Sequence, residues 1–201
     1  ILRHDVDMDL AAAVAMAEVE ANFGAASTYF VLMRSELYNP ASRENASSIG
    51  RLLALGHHVG LHFDATLYPD NPEAQTAAIK AECAALESLT ETPVTSFSFH
   101  RPAPSLVGRE SPLAGLIAAY APLYFESFAY VSDSRGGWHY GHPLDHEKVR
   151  RGLGLHLLTH PIWWANPGDG PQAKLDQLVS DHTHAYRREL AANCKSYKLE
   201  D

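Results

Sequence analysis

Residues 2–7 have the sequence Leu-Arg-His-Asp-Val-Asp, a short apolar strand pattern that ends in two acids. Four later segments have the same form, an apolar run that ends in an ionisable residue. In a barrel of parallel strands wrapped by helices, the carboxyl ends of all strands open onto one face, where catalytic groups lie. We therefore expect ionisable side chains from distant parts of the chain to meet in one pocket. The four segments are His57–His62, Val94–His100, Tyr130–Asp133 and Leu155–His160.

The side chains expected to meet in this pocket are three aspartates and three histidines. Carboxylate oxygen and imidazole nitrogen together suit a borderline divalent metal ion and leave coordination positions for water. The pattern therefore indicates a metal-dependent hydrolase. The six residues are Asp5, Asp7, Asp133, His62, His100 and His160.

Helical patterns alternate with these strands along the chain. Helices are predicted to begin near Ser42 and Asn71, and a final helix is predicted over about Pro171–Ala192. Strict alternation favours parallel β/α units, and six or seven strands can be counted, below the eight of a regular barrel. Either one strand precedes the chain or the barrel is smaller and distorted. We expect a single domain over residues 1–201, with an incomplete amino terminus.

The pattern is less regular between Arg101 and Pro122, a stretch with four prolines. It predicts a short alanine-rich helix near Leu113–Tyr120. The aromatic and apolar runs Leu123–Phe128 and Tyr130–Ser132 predict strands.

Composition limits the classes to which the protein can belong. The chain has 201 residues, 46% of them apolar, which is enough for the core of one domain. Its net charge is −8 and its 16 basic residues are dispersed, so no nucleic-acid-binding surface is indicated. Cys83 and Cys194 have no metal-binding spacing and are expected to be buried free thiols. No apolar run approaches the ~20 residues that cross a bilayer, and we expect a cytoplasmic protein.

Most of the twelve histidines need no role in chemistry. Seven of them are predicted to lie in loops or on polar helix faces: His57, His58, His139, His142, His146, His182 and His184.

Asp5 and Asp7 stand two residues apart, which places both carboxylates on one face of a strand. In a purely structural interpretation, Asp7 caps the next helix and Asp5 lies on the surface. Asp9 is already a good cap for that helix, so a functional interpretation is favoured. Two acids this close do not both ionise cheaply unless a cation or a proton lies between them.

Two other strand ends carry neighbouring functional groups. In the segment His57–His62, alternation along the strand places the side chains of His58 and His62 on the same face. His100 is followed by Arg101, which is either a surface ion-pair partner or a group that orients a catalytic carboxylate. Asp133 precedes a glycine-rich turn, where aspartate is common for structural reasons.

His160 ends an apolar strand on the same predicted rim. Trp163 and Trp164 follow it, and they either cover the edge of the barrel or stack on a sugar ring.

Taken in order over about residues 1–165, these segments resemble the motifs of the polysaccharide deacetylases, the NodB-homology or carbohydrate esterase family four group. That family consists of metal-dependent amidases that remove N-acyl groups from amino sugars. The resemblance implies a distorted (β/α) barrel of about seven parallel strands. The motifs HDVD, GLHFD and HRP further resemble a branch associated with bacterial surface-polysaccharide and lipopolysaccharide biosynthesis.

The resemblance implies roles for the first two motifs. Asp5 matches the family's catalytic base and Asp7 its metal ligand, with the reverse order open because one residue separates them. His62 matches the first metal-binding histidine of the second motif, but Thr66 stands where the second is expected. The third ligand is then His100, with Asp64 as the alternative.

The later motifs imply the remaining roles. Arg101 and Pro102 match the third motif, in which arginine orients the base. Asp133 and Trp138 match the fourth, and Asp133 would orient either the catalytic histidine or the base through Arg101. His160 matches the general acid of the fifth. Substrate contacts are expected from three residues: Trp138, Trp163 and Trp164.

The implied reaction is hydrolysis of an acetyl or formyl amide on a nucleotide-linked, lipid-linked or oligosaccharide amino sugar. Zn²⁺ is the expected metal, with Co²⁺, Ni²⁺, Mn²⁺ and Fe²⁺ as alternatives. Two other functions remain open. One is hydrolysis of a different C–N amide bond by a deformylase or a cyclic-amide hydrolase. The other is that of a non-catalytic carbohydrate-binding relative.

Overall fold

Seven strands form a single sheet in the computed structural model of the protein, which describes residues 1–102 and 113–199. They are β1 (Leu2–Val6), β2 (Thr28–Leu32), β3 (His58–Phe63), β4 (Ser96–Phe99), β5 (Ile117–Ala118), β6 (Ala129–Ser132) and β7 (Leu155–Thr159).

The sheet has the order β5-β4-β3-β2-β1-β7-β6, and every neighbouring pair is parallel. Strand β1 is central: His4 lies in register with Tyr29 of β2 on one side and with Thr159 of β7 on the other. The sheet curls into a half-barrel whose strands all end at one rim. The predicted fold class, a distorted barrel of about seven parallel strands, is confirmed.

Seven α-helices connect or flank the strands. The Asp9 carboxylate accepts hydrogen bonds from Ala11 N at 2.8 Å and Ala12 N at 3.3 Å, so it caps the first helix as predicted. None of the helices in the described ranges is both long enough and apolar enough to cross a bilayer. The helices are α1 (Leu10–Asn22), α2 (Arg43–Ala54), α3 (Pro72–Thr90), α4 (Pro122–Glu126), α5 (Glu147–Arg150), α6 (Ile162–Ala165) and α7 (Pro171–Asn193).

The apolar core lies where α1, α2 and α3 cover the sheet. It includes fully buried side chains from all three helices, which pack with the outward-facing residues of β2 and β3. Burial of these faces fixes the helices on one side of the sheet and leaves the carboxyl-terminal rim clear for polar groups. The helical members of the core include Leu10, Ile49, Leu52, Ile79 and Leu86.

The two cysteines differ in burial. Cys83 of α3 is buried in this core, as expected. Cys194 is exposed just after α7, so the expectation of a buried thiol is wrong there.

The prediction of a strand over Leu123–Phe128 is wrong, because most of this segment lies in the helix α4. Pro122 occupies the first turn of this helix, where its fixed φ is favourable and its missing N–H has no cost. Phe125 stacks on Tyr120 at 5.8 Å and packs against Tyr130 at 4.7 Å. The aromatic residues of this run thus pack from a helix rather than along a strand.

The prediction of a helix over Leu113–Tyr120 is also wrong, because this segment contains β5. Ala114 and Gly115 both have left-handed backbone conformations, with φ of 57° and 76°, which a helix does not allow. The chain then pairs with β4: Ile117 N donates to Thr95 O at 3.0 Å. Sheet pairing therefore outweighs the helical propensity of the alanines.

His57, predicted to lie in a loop or on a polar helix face, is buried. Its Nε2 lies 3.0 Å from Ala17 O and its Nδ1 lies 3.0 Å from Ser27 Oγ. The ring ties α1 to the loop before β2. Its role is structural.

Glu20 of α1 is the centre of the same buried network. Its carboxylate accepts hydrogen bonds from His4 Nε2 at 2.8 Å, Ser27 Oγ at 2.7 Å and Tyr29 OH at 2.9 Å. Burial opposes its ionisation, but the contacts with His4, Ser27 and Tyr29 outweigh burial and hold the pKa of Glu20 below its ordinary value. An ionised Glu20 thus attaches α1 to the central strands.

We predict that Glu20→Gln lowers the free energy of unfolding by about 1–3 kcal/mol at pH 7, because two buried hydroxyls and an imidazole lose a charged acceptor. The folded pKa lies below the unfolded value of ~4.3, so this contribution is complete above that value and is lost as pH falls through the folded pKa. Denaturant unfolding at pH 7 measures the loss of free energy, and the same measurement at pH 3.5 shows how much of the difference between wild type and variant disappears in acid. Glu18→Gln on the same helix, whose exposed carboxylate pairs with Arg51, is the control. An equal effect of the two substitutions would contradict the prediction.

Candidate metal centre and active site

Polar side chains converge on a cavity of about 350 Å³ at the carboxyl ends of the strands. Each strand places its group just beyond its last residue: Asp7 after β1, His100 after β4 and His160 after β7. His62 is the second-last residue of β3. The cavity is lined by these four residues together with Asp5 and Trp163, among others.

Asp7, His62 and His100 form a compact group. Asp7 Oδ1 lies 3.0 Å from His62 Nε2 and 3.4 Å from His100 Nδ1. One donor atom from each of the three residues lies within 4.8 Å of the others. The two imidazole rings meet edge to face, with centroids 5.1 Å apart. This is a candidate metal centre.

The geometry of this group fits a divalent cation. Asp7 Oδ1 is buried and forms no hydrogen bond with any residue in the described ranges, although two imidazole nitrogens lie close to it. Burial opposes the ionisation of Asp7, but contacts with His100 and His62 and the field of His160 hold its pKa well below its usual range. A carboxylate and two imidazoles that leave a fourth position open are a typical catalytic zinc set.

Asp64 and His100, the two candidates for the third ligand, have different surroundings. Asp64 Oδ1 accepts hydrogen bonds from Thr66 N at 3.0 Å and Thr66 Oγ1 at 2.6 Å, and its Oδ2 pairs with Arg101. Asp64 therefore caps the short 3₁₀ turn at residues 65–67, and Thr66 serves that cap. His100, rather than Asp64, lies in the group with Asp7 and His62.

Asp5 is buried beside this group. Ser98 Oγ donates a hydrogen bond to Asp5 Oδ2 at 3.1 Å, and the same oxygen lies 4.0 Å from His62 Nδ1. Asp5 Oδ1 has no hydrogen-bond partner among the described residues. One oxygen of Asp5 is thus held, and the other is free to accept a proton.

His160 reaches Asp7 from the end of β7. Its Nδ1 lies 2.7 Å from Asp133 Oδ1, and its Nε2 lies 3.7 Å from Asp7 Oδ2. Burial lowers the pKa of His160, but the hydrogen bond to Asp133 and the charges of Asp7 and Asp5 outweigh burial and raise it above its ordinary value. The Nε2 atom of His160 is thus turned toward Asp7 in the cavity.

Asp133 is held in turn by its surroundings. It accepts hydrogen bonds from the backbone N of His160 at 3.1 Å and from Trp164 Nε1 at 2.7 Å. Trp164 therefore positions Asp133, and Trp138 packs against Trp164 at 5.9 Å. Of the three tryptophans expected to contact substrate, Trp163 lines the cavity.

Arg101 has a different partner from the one expected. Its Nη2 pairs with Asp64 Oδ2 at 2.6 Å, and its side chain is 70% exposed. Among the described residues, the guanidinium that pairs with Asp5 is that of Arg3, whose Nη2 lies 3.8 Å from Asp5 Oδ2. Arg3 was not predicted as a site residue, although its position two residues before Asp5 places both side chains on one strand face.

No family model and no curated protein matches the sequence. A solved structure of the peptidoglycan deacetylase PdaC from Bacillus subtilis is similar in fold, with a TM-score of 0.52 and 15% identity, covering 96% of this chain and 95% of that one. The two proteins share the seven-stranded (β/α) barrel fold.

Two further structures are similar at lower TM-scores. A family 4 acetyl xylan esterase from Clostridium thermocellum, in complex with a cobalt ion, has a TM-score of 0.45 and 17% identity, with 92% of this chain and 83% of that one covered. A mutant CE4 family pseudoenzyme with restored enzymatic activity has a TM-score of 0.48 and 13% identity. The match covers 92% of this chain, which spans 62% of the length of that protein.

We predict that His100→Ala weakens Zn²⁺ binding by roughly 10²-fold or more, because a three-ligand site reduced to two loses much of its hold on the ion. Asp64→Ala should leave the affinity within about threefold, since that carboxylate is committed to Thr66 and Arg101. Competition with a chromogenic chelator measures both affinities. The reverse ranking would show that Asp64 is the third ligand.

Proposed function

We propose that the protein is a metal-dependent hydrolase that removes an N-acetyl or N-formyl group from an amino sugar. The observation that carries this proposal is the convergence of Asp7, His62 and His100 in one cavity with His160, which is held by Asp133. The fold shared with a peptidoglycan deacetylase supports it.

The three ligands would hold a divalent ion, Zn²⁺ being the best fit, that supplies Lewis-acid chemistry toward an acyl carbonyl and water. Asp7 is ionised and faces two imidazoles, as such a ligand must be. His62 and His100 come from neighbouring strands, so the sheet itself fixes the spacing of their rings.

Asp5 acts as the general base in this proposal. Its free Oδ1 accepts a proton from the attacking water, whose oxygen forms the new bond to the acyl carbon. Ser98 holds Oδ2 and so fixes the orientation of the carboxylate.

His160 acts as the general acid. Its Nδ1–H is held by Asp133, and its protonated Nε2 donates to the nitrogen of the amide as the C–N bond breaks. The products are a carboxylic acid and a free amine. The pKa of His160 lies above its ordinary value because of Asp133 and the charges of Asp7 and Asp5, and this shift favours the protonated form.

The cavity supports a sugar as the substrate. Trp163 lines it and supplies an aromatic surface of the kind on which sugar rings stack. The motifs HDVD, GLHFD and HRP lead us to propose a substrate from bacterial surface-polysaccharide metabolism, presented as a nucleotide-linked, lipid-linked or oligomeric sugar.

The direct test of this function is release of acetate or formate from N-acylated amino sugars by protein loaded with Zn²⁺ or Co²⁺. We expect turnover of at least one such sugar, loss of turnover after chelation, and recovery when metal is returned. Asp7→Asn should abolish both metal binding and turnover, because a neutral amide is a poor ligand at this position. Hydrolysis only of non-sugar amides would favour another amidase function, and metal binding without any hydrolysis would favour a non-catalytic role.

We predict that His160→Asn lowers turnover by roughly 10²–10⁴, the usual contribution of a general acid, and leaves the metal content at the wild-type level. Steady-state kinetics and elemental analysis of the same preparation measure the two quantities. His184→Asn is the matched control, because that imidazole is exposed on α7. A metal-loaded His160→Asn variant with wild-type turnover would remove His160 from the mechanism.

A further inference from the structure

Arg3 is buried inside the half-barrel. It lies on the central strand β1, two residues before Asp5, so both side chains point to the interior face. The residue is 1% exposed, and it is among the largest fully buried side chains of the protein. Burial of a charged guanidinium costs free energy unless the group is paired, so its contacts must explain why it is there.

A directed chain of hydrogen bonds links Arg3 to Asp5. Arg3 Nη1 donates to Ser98 Oγ at 3.1 Å, and Ser98 Oγ donates to Asp5 Oδ2 at 3.1 Å. Arginine has no acceptor, so the hydroxyl of Ser98 must accept from Arg3 and turn its own hydrogen toward Asp5. The link therefore occupies Oδ2 and leaves Oδ1 of Asp5 free.

Among the described residues, Arg3 also supplies a positive charge beside Asp5. Its Nη2 lies 3.8 Å from Asp5 Oδ2, whereas Arg101 is paired with Asp64 at the exposed rim. The guanidinium carbon lies 4.6 Å from the ring centroid of Tyr120, which supports a cation from its face.

Stability alone does not account for a buried arginine here. Its Nε and Nη2 form no hydrogen bond with any residue in the described part of the chain. A buried ion pair with unsatisfied donors is commonly no more stable than well-packed apolar residues of the same volume. The arrangement is explained if the orientation of Asp5 matters to the chemistry.

We infer that Arg3 is a positioning residue for Asp5: through Ser98 it holds Oδ2, supplies the counter-charge and presents Oδ1 to the attacking water. Arg3 thus takes the task that was expected of Arg101. This inference rests on the proposed function, in which Asp5 is the base.

The test compares Arg3→Met, Arg3→Lys and Ser98→Ala in metal-loaded protein. Arg3→Met should lower kcat by about 10²-fold, because small displacements of a catalytic group have effects of this size, with KM within about threefold and unchanged metal content. Arg3→Lys should recover part of the loss, since it restores the charge without the planar fork. Ser98→Ala removes only the link and should lower kcat by about tenfold. Arg51→Met, which removes an exposed guanidinium, is the control.

The same substitutions in an Asp5→Asn background show whether Arg3 acts through Asp5. If it does, Arg3→Met and Ser98→Ala should each change the residual kcat by less than about threefold, because the group that they position is already gone. A folded, metal-loaded Arg3→Met variant with kcat within twofold of wild type would overturn the inference. So would an undiminished effect in the Asp5→Asn background.

A thermal-unfolding cycle gives a readout that needs no activity. Wild type, Arg3→Met, Asp5→Asn and the double variant are compared, and the double variant should melt no lower than Arg3→Met alone, because each single variant leaves a buried charge unpaired. Additive losses would show that the two side chains do not interact and would overturn the inference.

If Arg3→Met does not fold, Ser98→Ala decides the kinetic question. Wild-type protein that hydrolyses no N-acyl sugar would overturn the proposed function and this role of Arg3 together. If wild-type protein does hydrolyse such a sugar and Arg3→Met and Ser98→Ala keep its kcat, the inference alone is overturned.

Discussion

The parallel pairing of β1 with β2 on one side and with β7 on the other is the constraint on which the site depends. It places the chain segment around Asp5 and Asp7 in the middle of the sheet, with polar strand ends on both sides. His62 then reaches Asp7 from β3 at 3.0 Å, and His160 reaches it from β7 at 3.7 Å. A shift in the register of β1 by one residue would turn Asp5 out of the interior and would dismantle the site.

The buried carboxylates of the site differ in what surrounds them. Asp133 is saturated by hydrogen bonds from His160 and Trp164, and Asp5 is half held by Ser98. Within the described ranges, Asp7 is the carboxylate whose close neighbours are two imidazole nitrogens without hydrogen-bond geometry to its Oδ1. Buried polar atoms are normally paired, so an exception of this kind indicates a missing partner. A cation would be that partner for the oxygen of Asp7 and the ring nitrogens of His62 and His100 at once.

The sequence predicted what short-range patterns determine. The ends of strands carry the chemistry in a parallel α/β fold, so the apolar runs predicted that ionisable side chains from distant segments meet in one pocket. The choice of Asp7, His62 and His100 as metal ligands came from the family resemblance. The position of β5 did not follow from the apolar runs, because pairing with β4 and the left-handed turn at Ala114 outweigh local propensity. The partner of Arg101 and the burial of Arg3 also depend on long-range contacts, since Ser98 lies 95 residues from Arg3.

The most direct test of the metal centre is anomalous diffraction from crystals of the protein soaked with Zn²⁺, recorded on both sides of the zinc absorption edge. Our account predicts one anomalous peak in the cavity, with a carboxylate oxygen of Asp7 and one nitrogen each from His62 and His100 at about 2.0–2.2 Å from it. A peak coordinated without His62, or with Asp64 in place of His100, would contradict the account.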